Sequence, residues 1–214
     1  MGNISLKSTP GHGHADLLSI VLGYNKLPIF IDPGTYQYKN SEESLILKRT
    51  PFHNTVAVDG EDQAKLWGFF RWAYLPKKIK SSIKILSENI TVLEGEFLGY
   101  RHLGGITHKR NIEIDSNKVF VKDNLQGNLG KEIQINFVLH PEIMVEQKEN
   151  IVLLKSKLNN FELKCNNKNV FLTIENILIY DSYNIATSSK KITFIFHNEK
   201  KSKFVSEILF EVQS

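Results

Sequence analysis

The sequence predicts an all-β fold, an antiparallel β-sandwich of the super-sandwich type with few or no helices. Short runs rich in Phe, Ile, Val, Leu, Tyr and Thr recur along most of the 214 residues. Many runs alternate, as in Glu132–Leu139, where Ile133, Ile135 and Phe137 share one face. Turn formers such as Asn159 and Asn160 interrupt the runs. Turns at a spacing of roughly 8–12 residues are typical of sandwiches.

The expected strands follow one another along the chain without an internal repeat or a linker. In chain order we expect strands at Pro28–Ile31, Ser82–Ile85, Asn89–Glu94, Asn111–Ile114, Lys118–Lys122, Glu132–Leu139, Ile151–Lys155, Phe161–Cys165, Val170–Glu175, Lys191–His197 and Val205–Val212. Ala15–Tyr24 is the one segment that fits a helix, and its apolar run fits a buried strand equally well. We therefore expect residues 1–214 to form a single domain.

Composition excludes several functional classes. Lys and Arg outnumber Asp and Glu by 27 to 23, and basic runs such as Lys77–Lys80 are not interleaved with aromatic residues as nucleic-acid binding requires. No apolar run is long enough to span a membrane, and Met1–Thr9 lacks the apolar core of a signal peptide. Cys165 is the single cysteine, which excludes an intrachain disulfide and a cysteine-rich zinc module. The mild positive charge suits an anionic polymer.

The first third of the chain carries the residues that indicate a functional site. Its blocks are GHGHADLLS (11–19), FIDPGTYQY (30–38), RTPFHNTVAVDGEDQ (49–63) and WGFFRW (67–72). Gly and Pro place them in turns, and loops on a rigid sandwich commonly carry function. The C-terminal two-thirds contains mainly strand patterns, so we expect it to serve as scaffold.

The histidines of these blocks indicate a metal site. His12 and His14 are two residues apart, so in an extended strand their imidazoles project to the same side. Either both reach one site, or one binds metal while the other faces a substrate. Asp32 ends an apolar strand, and His53 begins another short strand. Two His nitrogens and one Asp oxygen with an open fourth position suit Zn²⁺. The other interpretation is that these are ordinary hydrogen-bonding loop residues.

Two other metal-site patterns share the HxH motif. Metallo-β-lactamase-type hydrolases use HxHxDH, but Leu17 stands where the final His is required. Cupins place a Glu a few residues after HxH, and Ala15–Tyr24 contains none.

The order and spacing of the four blocks resemble the C-terminal β-sandwich domain of the heparinase II/III-like family. GYRHLGGITHKR (99–110) resembles the family's Tyr-rich segment that leads to an HxR motif, here His108 and Arg110. NFVLHP (136–141) resembles a further strand of that domain. The resemblance is strong over residues 11–72 and patchy to about residue 141.

This resemblance implies a polysaccharide lyase that acts on uronate-containing polymers such as heparan sulfate or alginate. Members pair an N-terminal α/α-toroid with the sandwich, and the substrate lies between the two. By the resemblance, His14, Asp32 and His53 bind one zinc with a structural role. His12 then points into the cleft and takes part in catalysis. The same resemblance makes Tyr36, Tyr38 and Arg71 candidates for substrate binding, with turn packing or a surface cation as the alternative.

The toroid that supplies the other catalytic groups in these lyases has no counterpart in this sequence. We therefore expect the chain to be the C-terminal part of a longer protein, to bind metal, and to be inactive in isolation. Its substrate class implies a periplasmic or cell-surface location. The alternative function is a non-catalytic, zinc-stabilised domain that binds carbohydrate or serves as an interdomain scaffold.

Overall fold

The computed structural model describes residues 10–199 and 201–213, and these form a β-sandwich of one eight-stranded and one four-stranded antiparallel sheet, together with two two-stranded sheets. The strands within the described residues are β1 Leu22–Tyr24, β2 Leu27–Phe30, β3 Val56–Val58, β4 Lys65–Leu66, β5 Trp72–Tyr74, β6 Lys77–Ile85, β7 Thr91–Gly99, β8 Ile106–Ile114, β9 Lys118–Gly127, β10 Glu132–Val138, β11 Met144–Lys148, β12 Ile151–Lys155, β13 Asn160–Cys165, β14 Val170–Ser182, β15 Ile185–His197 and β16 Lys203–Gln213. The large sheet has the order β11-β12-β13-β16-β9-β8-β7-β6, and the small sheet has the order β14-β15-β10-β3.

Aromatic side chains join the two sheets in the core. Phe30 of β2 packs against Phe137 of the small sheet, with ring centroids 4.9 Å apart, and against Phe210 of the large sheet at 5.5 Å. Phe161 stacks on Phe210 at 5.2 Å. All four rings are buried, and burying such a side chain contributes about 1.5–3 kcal/mol to folding.

The predicted fold class is confirmed, and every predicted strand lies in or overlaps an observed one. Alternation located many of them because one face of the strand is buried, as in β9 and β13. The predicted strand length falls furthest short of the observed length for β14 and β15, which have 13 residues each. Before Lys191, residues 185–190 of β15 do not pair with β10 and are paired only with β14. Both faces of this hairpin end are largely exposed, so no alternation marks it.

Neither of the two interpretations left open for Ala15–Tyr24, a helix or a buried strand, describes most of that segment. Only Leu22–Tyr24 is a strand. The one α-helix within the described residues is α1, Glu42–Ile46, where Ser41 Oγ accepts a hydrogen bond from the Ser44 N–H at 3.3 Å. Five residues are too few for a helical period to appear in the sequence. Among the described residues no helix has the length and apolarity needed to cross a membrane.

Candidate functional site

Three side chains from separate blocks meet at one edge of the sandwich. The metal-binding atoms of His14, Asp32 and His53, hereafter the His/Asp/His cluster, all lie within 4.8 Å of one another. His53 Nδ1 is 3.1 Å from Asp32 Oδ2, and the rings of His14 and His53 have centroids 5.2 Å apart. His53 is fully buried, whereas the Asp32 side chain is 44% exposed. The cluster is therefore open to solvent on one side only.

Each member of the cluster comes from irregular chain. His14 follows a 3₁₀ turn, Pro10–His12, and Asp32 follows β2. His53 ends a second 3₁₀ turn, Thr50–Phe52, and β3 begins only three residues later. The two HxH histidines therefore do not share an extended strand, and the strand predicted to begin at His53 begins three residues later, at Val56. The three cluster side chains are brought together by tertiary contacts between loops, and not by the two-residue side-chain period of a strand.

Asn54 ties two of the three cluster loops together. Its side-chain amide donates to the carbonyl of Ile31, next to Asp32 in the chain, at 2.9 Å and to the carbonyl of Ile20 at 2.7 Å. Its carbonyl accepts from the Val138 N–H at 2.6 Å. Because this buried amide uses both ends, it fixes its own loop against β10 and against the end of β2.

The third loop is held through the residue after His14. Ala15 O accepts from Thr50 Oγ1 at 2.8 Å and from Gln63 Nε2 at 2.9 Å, and Ala15 N donates to Lys48 O at 2.8 Å. Side chains thus satisfy backbone groups that a helix or a strand would otherwise pair. This explains why the segment after the HxH motif stays irregular.

Gly34 orients the carboxylate of the cluster. Its N–H donates to Asp32 Oδ1 at 2.9 Å, which leaves Asp32 Oδ2 facing His53. The φ of Gly34 is +79°, and a Cβ there would lie 1.9 Å from the carbonyl oxygen of Tyr180. Glycine is therefore required at this position both by the positive φ and by the close approach of the Tyr180 carbonyl.

The donor set fits a tetrahedral zinc ion. Two ligands with bonds of about 2.0–2.1 Å to such an ion lie about 3.3 Å apart, close to the 3.1 Å between His53 Nδ1 and Asp32 Oδ2. Nδ1 is then the metal-binding nitrogen of His53, and the other nitrogen of that ring, Nε2, is buried without a hydrogen-bond partner among the described residues. Within the described chain, one such group of three potential ligands is found.

The protonation states also suit metal binding. Burial, with help from His53 and Lys48, lowers the pKa of His14 to about 4, so its imidazole is neutral at pH 7. Burial opposes ionisation of Asp32, but the hydrogen bond and charge of His53 and the N–H of Gly34 outweigh it, and the pKa of Asp32 is lowered. A neutral imidazole and an ionised carboxylate are the forms that bind a metal.

Lys48 lies beside the site and was not among the sequence-predicted residues. Its buried ammonium donates to the carbonyl of Phe69 at 3.0 Å and to the carbonyl of Gly11, next to His12. It also lies 4.5 Å from the centre of the Phe69 ring. Burial lowers the pKa of Lys48 to about 8. In the sequence LILKRT, a lysine has the pattern of an exposed surface residue. Its role in holding the HxH loop is seen only in the tertiary contacts.

His12, two residues before His14 of the cluster, is exposed. Its ring meets the edge of Tyr38 with centroids 4.8 Å apart and planes 61° apart. Gly11 packs so closely on Phe70 that a Cβ would lie 2.9 Å from the Phe70 Cα. Arg71 follows in the same β4–β5 turn and is exposed, and no described side chain pairs with it. Tyr38 therefore lies next to His12. Arg71 directly follows Phe70, the residue that contacts the loop carrying His12.

The other histidines singled out by the sequence lie elsewhere. His102 Nε2 is 3.2 Å from Glu61 Oε2, and its Nδ1 meets the Tyr74 hydroxyl. His108 is fully buried, with Nε2 2.7 Å from Asp123 Oδ1. Neither joins the His/Asp/His cluster. His108 instead belongs to a structural network beneath the site.

Arg110 is the centre of that network. It is 1% exposed and binds Asp123 through two hydrogen bonds, Nε to Oδ1 at 2.7 Å and Nη2 to Oδ2 at 2.9 Å. Its Nη1 donates to the carbonyls of Leu18 at 2.8 Å and Asn54 at 2.7 Å. Burial opposes ionisation of Asp123, but Arg110 and His108 hold its pKa well below the usual range. This buried ion pair anchors the site loops to β8 and β9.

The C-terminal two-thirds also reaches the loops of the candidate site. The end of the β14–β15 hairpin reaches the DPG loop, where Tyr180 N donates to Pro33 O at 2.7 Å and Asn184 N donates to Tyr36 O at 3.2 Å. The Tyr36 ring packs on Tyr180 at 4.8 Å. No local signal in the sequence connects segments about 150 residues apart in the chain.

Comparison with protein families agrees with this architecture. Residues 1–207 match a family model described as heparinase II/III-like, C-terminal. No curated protein sequence matches the chain.

Solved structures with the same fold include a heparan sulfate lyase and a heparinase. The heparan sulfate lyase HepC from Pedobacter heparinus superposes with a TM-score of 0.76 at 15% identity, covering 95% of this chain and 31% of that one. A structure of heparinase III gives a TM-score of 0.75 at 18% identity, covering 98% of this chain and 31% of that one. The chain thus spans about a third of the length of these proteins.

Proposed function

Because the chain belongs to the heparinase II/III-like family, as its C-terminal domain, we propose that it is the zinc-bearing part of a polysaccharide lyase. Its substrate is a uronate-containing polysaccharide, cleaved by β-elimination. The observation that supports this function most directly is the position of His12, exposed beside Tyr38 and two residues from His14 of the cluster.

The chemistry explains why an imidazole is needed at that place. β-Elimination removes the C5 proton of a uronate, and this proton is weakly acidic until the neighbouring carboxylate is neutralised. A base must take the proton, and an acid must protonate the leaving oxygen. His12 is placed to hydrogen-bond the carboxylate or to accept the C5 proton. The remaining proton-transfer group would come from the N-terminal toroid of the parent protein.

His14, Asp32 and His53 would hold one zinc. When bound, the ion would supply a positive charge that adds a further link between the three loops and orients His12 through the chain. Elimination needs no hydroxide nucleophile, so a structural zinc is sufficient for this reaction.

Tyr38, Tyr36 and Arg71 differ in how well they suit substrate binding. Tyr38 is 55% exposed and contacts His12, so it can face a sugar. The exposed guanidinium of Arg71 suits a uronate carboxylate. Tyr36 packs on Tyr180, which favours a role in shaping the loop.

A polysaccharide substrate also sets the place of action. Long anionic polymers such as glycosaminoglycans occur outside the cytoplasm, so we propose a periplasmic or cell-surface location for the parent protein.

The alternative is a zinc-stabilised domain without catalysis that binds carbohydrate or supports a neighbouring domain. This alternative is favoured because the three cluster residues come from three different loops. A metal bound there would stabilise the fold whether or not the domain takes part in catalysis.

An elimination assay on the full-length protein that contains this chain tests the proposed function. Uronate polymers, heparan sulfate and alginate among them, are incubated with the protein, and the ultraviolet absorbance of the 4,5-unsaturated uronate product is followed. We expect product from at least one polymer and none from the isolated chain. Failure of the full-length protein on every uronate polymer, with zinc bound, would favour the non-catalytic alternative.

A further inference from the structure

The end of the β14–β15 hairpin is fixed against the DPG loop by several contacts. Gly34 forms a parallel bridge with Tyr180. The side chains of Gln37 and Asn184 are hydrogen-bonded to each other. Asn184 has a φ of +62°, which turns the chain sharply. The hairpin end is therefore held in one position relative to the loop that carries Tyr38.

This fixed turn carries an exposed aromatic side chain. Tyr183 is 60% exposed, and its ring lies nearly parallel to that of Tyr38, with centroids 6.4 Å apart and planes 27° apart. Tyr38 in turn meets His12 at 4.8 Å. The three rings form a continuous row, from the C-terminal hairpin to the imidazole of the HxH motif.

Such a row has the properties of a binding surface. Two tyrosine rings, 55% and 60% exposed, leave apolar area in contact with water that a ligand can cover with a gain in free energy. Tyrosine is a rigid, amphipathic residue that loses little conformational entropy on binding. Pyranose rings present a face of C–H groups, which packs on aromatic faces.

We propose that Tyr38 and Tyr183 form an aromatic subsite that packs against one sugar ring of the polymer, next to the ring whose C5 proton is removed at His12. This subsite rests on the proposed function for its ligand class. Tyr183 is its new member, a binding residue from the part of the sequence predicted to be scaffold.

Binding by Tyr183 variants tests the subsite. The probes are a heparan sulfate tetrasaccharide and an alginate tetrasaccharide, titrated into the zinc-loaded chain and followed by NMR chemical shifts. We expect Tyr183→Ala to raise the Kd of the bound probe about three- to tenfold, the loss typical of one aromatic contact. Tyr183→Phe keeps the ring and should bind within about twofold of the wild type.

Phe171→Ala is the matched control. Phe171 is 59% exposed on the same strand, β14, and packs on His197 away from the DPG loop. Its substitution should leave the Kd within about twofold of the wild type. All three variants should melt within about 2 °C of the wild type, since they change exposed side chains.

The outcomes separate the subsite from the function on which it rests. Wild-type binding that is unchanged by Tyr183→Ala, or that is weakened equally by Phe171→Ala, would overturn the subsite and leave the lyase proposal intact. Wild-type protein that binds neither tetrasaccharide would overturn the subsite, and the elimination assay on the full-length protein would then decide the proposed function separately.

Discussion

Replacing His12 by Ala is expected to lower kcat for β-elimination by a factor of about 10²–10⁴, the usual contribution of a positioned acid–base group. His12 is exposed and contacts the edge of Tyr38, so its loss removes an imidazole from the cleft without opening the core. The zinc content and the melting temperature should therefore stay at the wild-type values. The measurement is the initial rate of unsaturated product formation by the full-length protein at saturating polysaccharide.

His197→Ala provides a control of the same kind. His197 is also exposed and also meets an aromatic ring at its edge, Phe171, with centroids 5.3 Å apart. It lies on β15 at the far end from the DPG loop, and we expect its replacement to leave kcat unchanged. A His12→Ala enzyme that keeps more than about a third of the wild-type kcat would contradict a catalytic role for His12.

Asp123→Ala is expected to lower the free energy of unfolding by about 3–5 kcal/mol, because it leaves the guanidinium of Arg110 buried without its counter-charge. Both side chains are at most 1% exposed, and His108 shares the same carboxylate at 2.7 Å. Urea denaturation followed by circular dichroism measures the change, with the midpoint compared at constant slope.

An exposed ion pair on the same sheet supplies the comparison. Lys122 and Glu207 are 2.8 Å apart, but their side chains are 40% and 36% exposed. Glu207→Ala should therefore cost less than about 1 kcal/mol. Similar costs for the two substitutions would show that the Arg110–Asp123 pair does not anchor the site loops.

The fold was largely predictable because burial of one face imposes a two-residue period on each strand. Ile151–Lys155 was predicted with its observed bounds, because its short apolar run lies between turn formers such as Asn150 and Asn159. The hairpin end, residues 176–190, was missed because neither of its faces is buried against the other sheet. The irregular segment after His14 was missed because its backbone partners are side chains such as Thr50 and Gln63.

The candidate site was predictable in its residues but not in its geometry. The resemblance to a known family selected His14, Asp32 and His53, and the structure brings them within reach of one ion. Spacing alone left open which histidine of the HxH motif faces the cluster. Lys48 and Tyr183 approach the site only through tertiary contacts, and each by itself has the sequence pattern of an ordinary surface residue.

The most direct test of the account is the metal content of the tag-free chain, measured by mass spectrometry for the wild type, His14→Ala and His12→Ala. We expect one zinc per chain in the wild type and in His12→Ala, and none in His14→Ala, because a site with three protein ligands does not survive the loss of one. No zinc in the wild type, or an equal amount in His14→Ala, would contradict the proposed centre. Two metals per chain would instead favour a metal-dependent hydrolase.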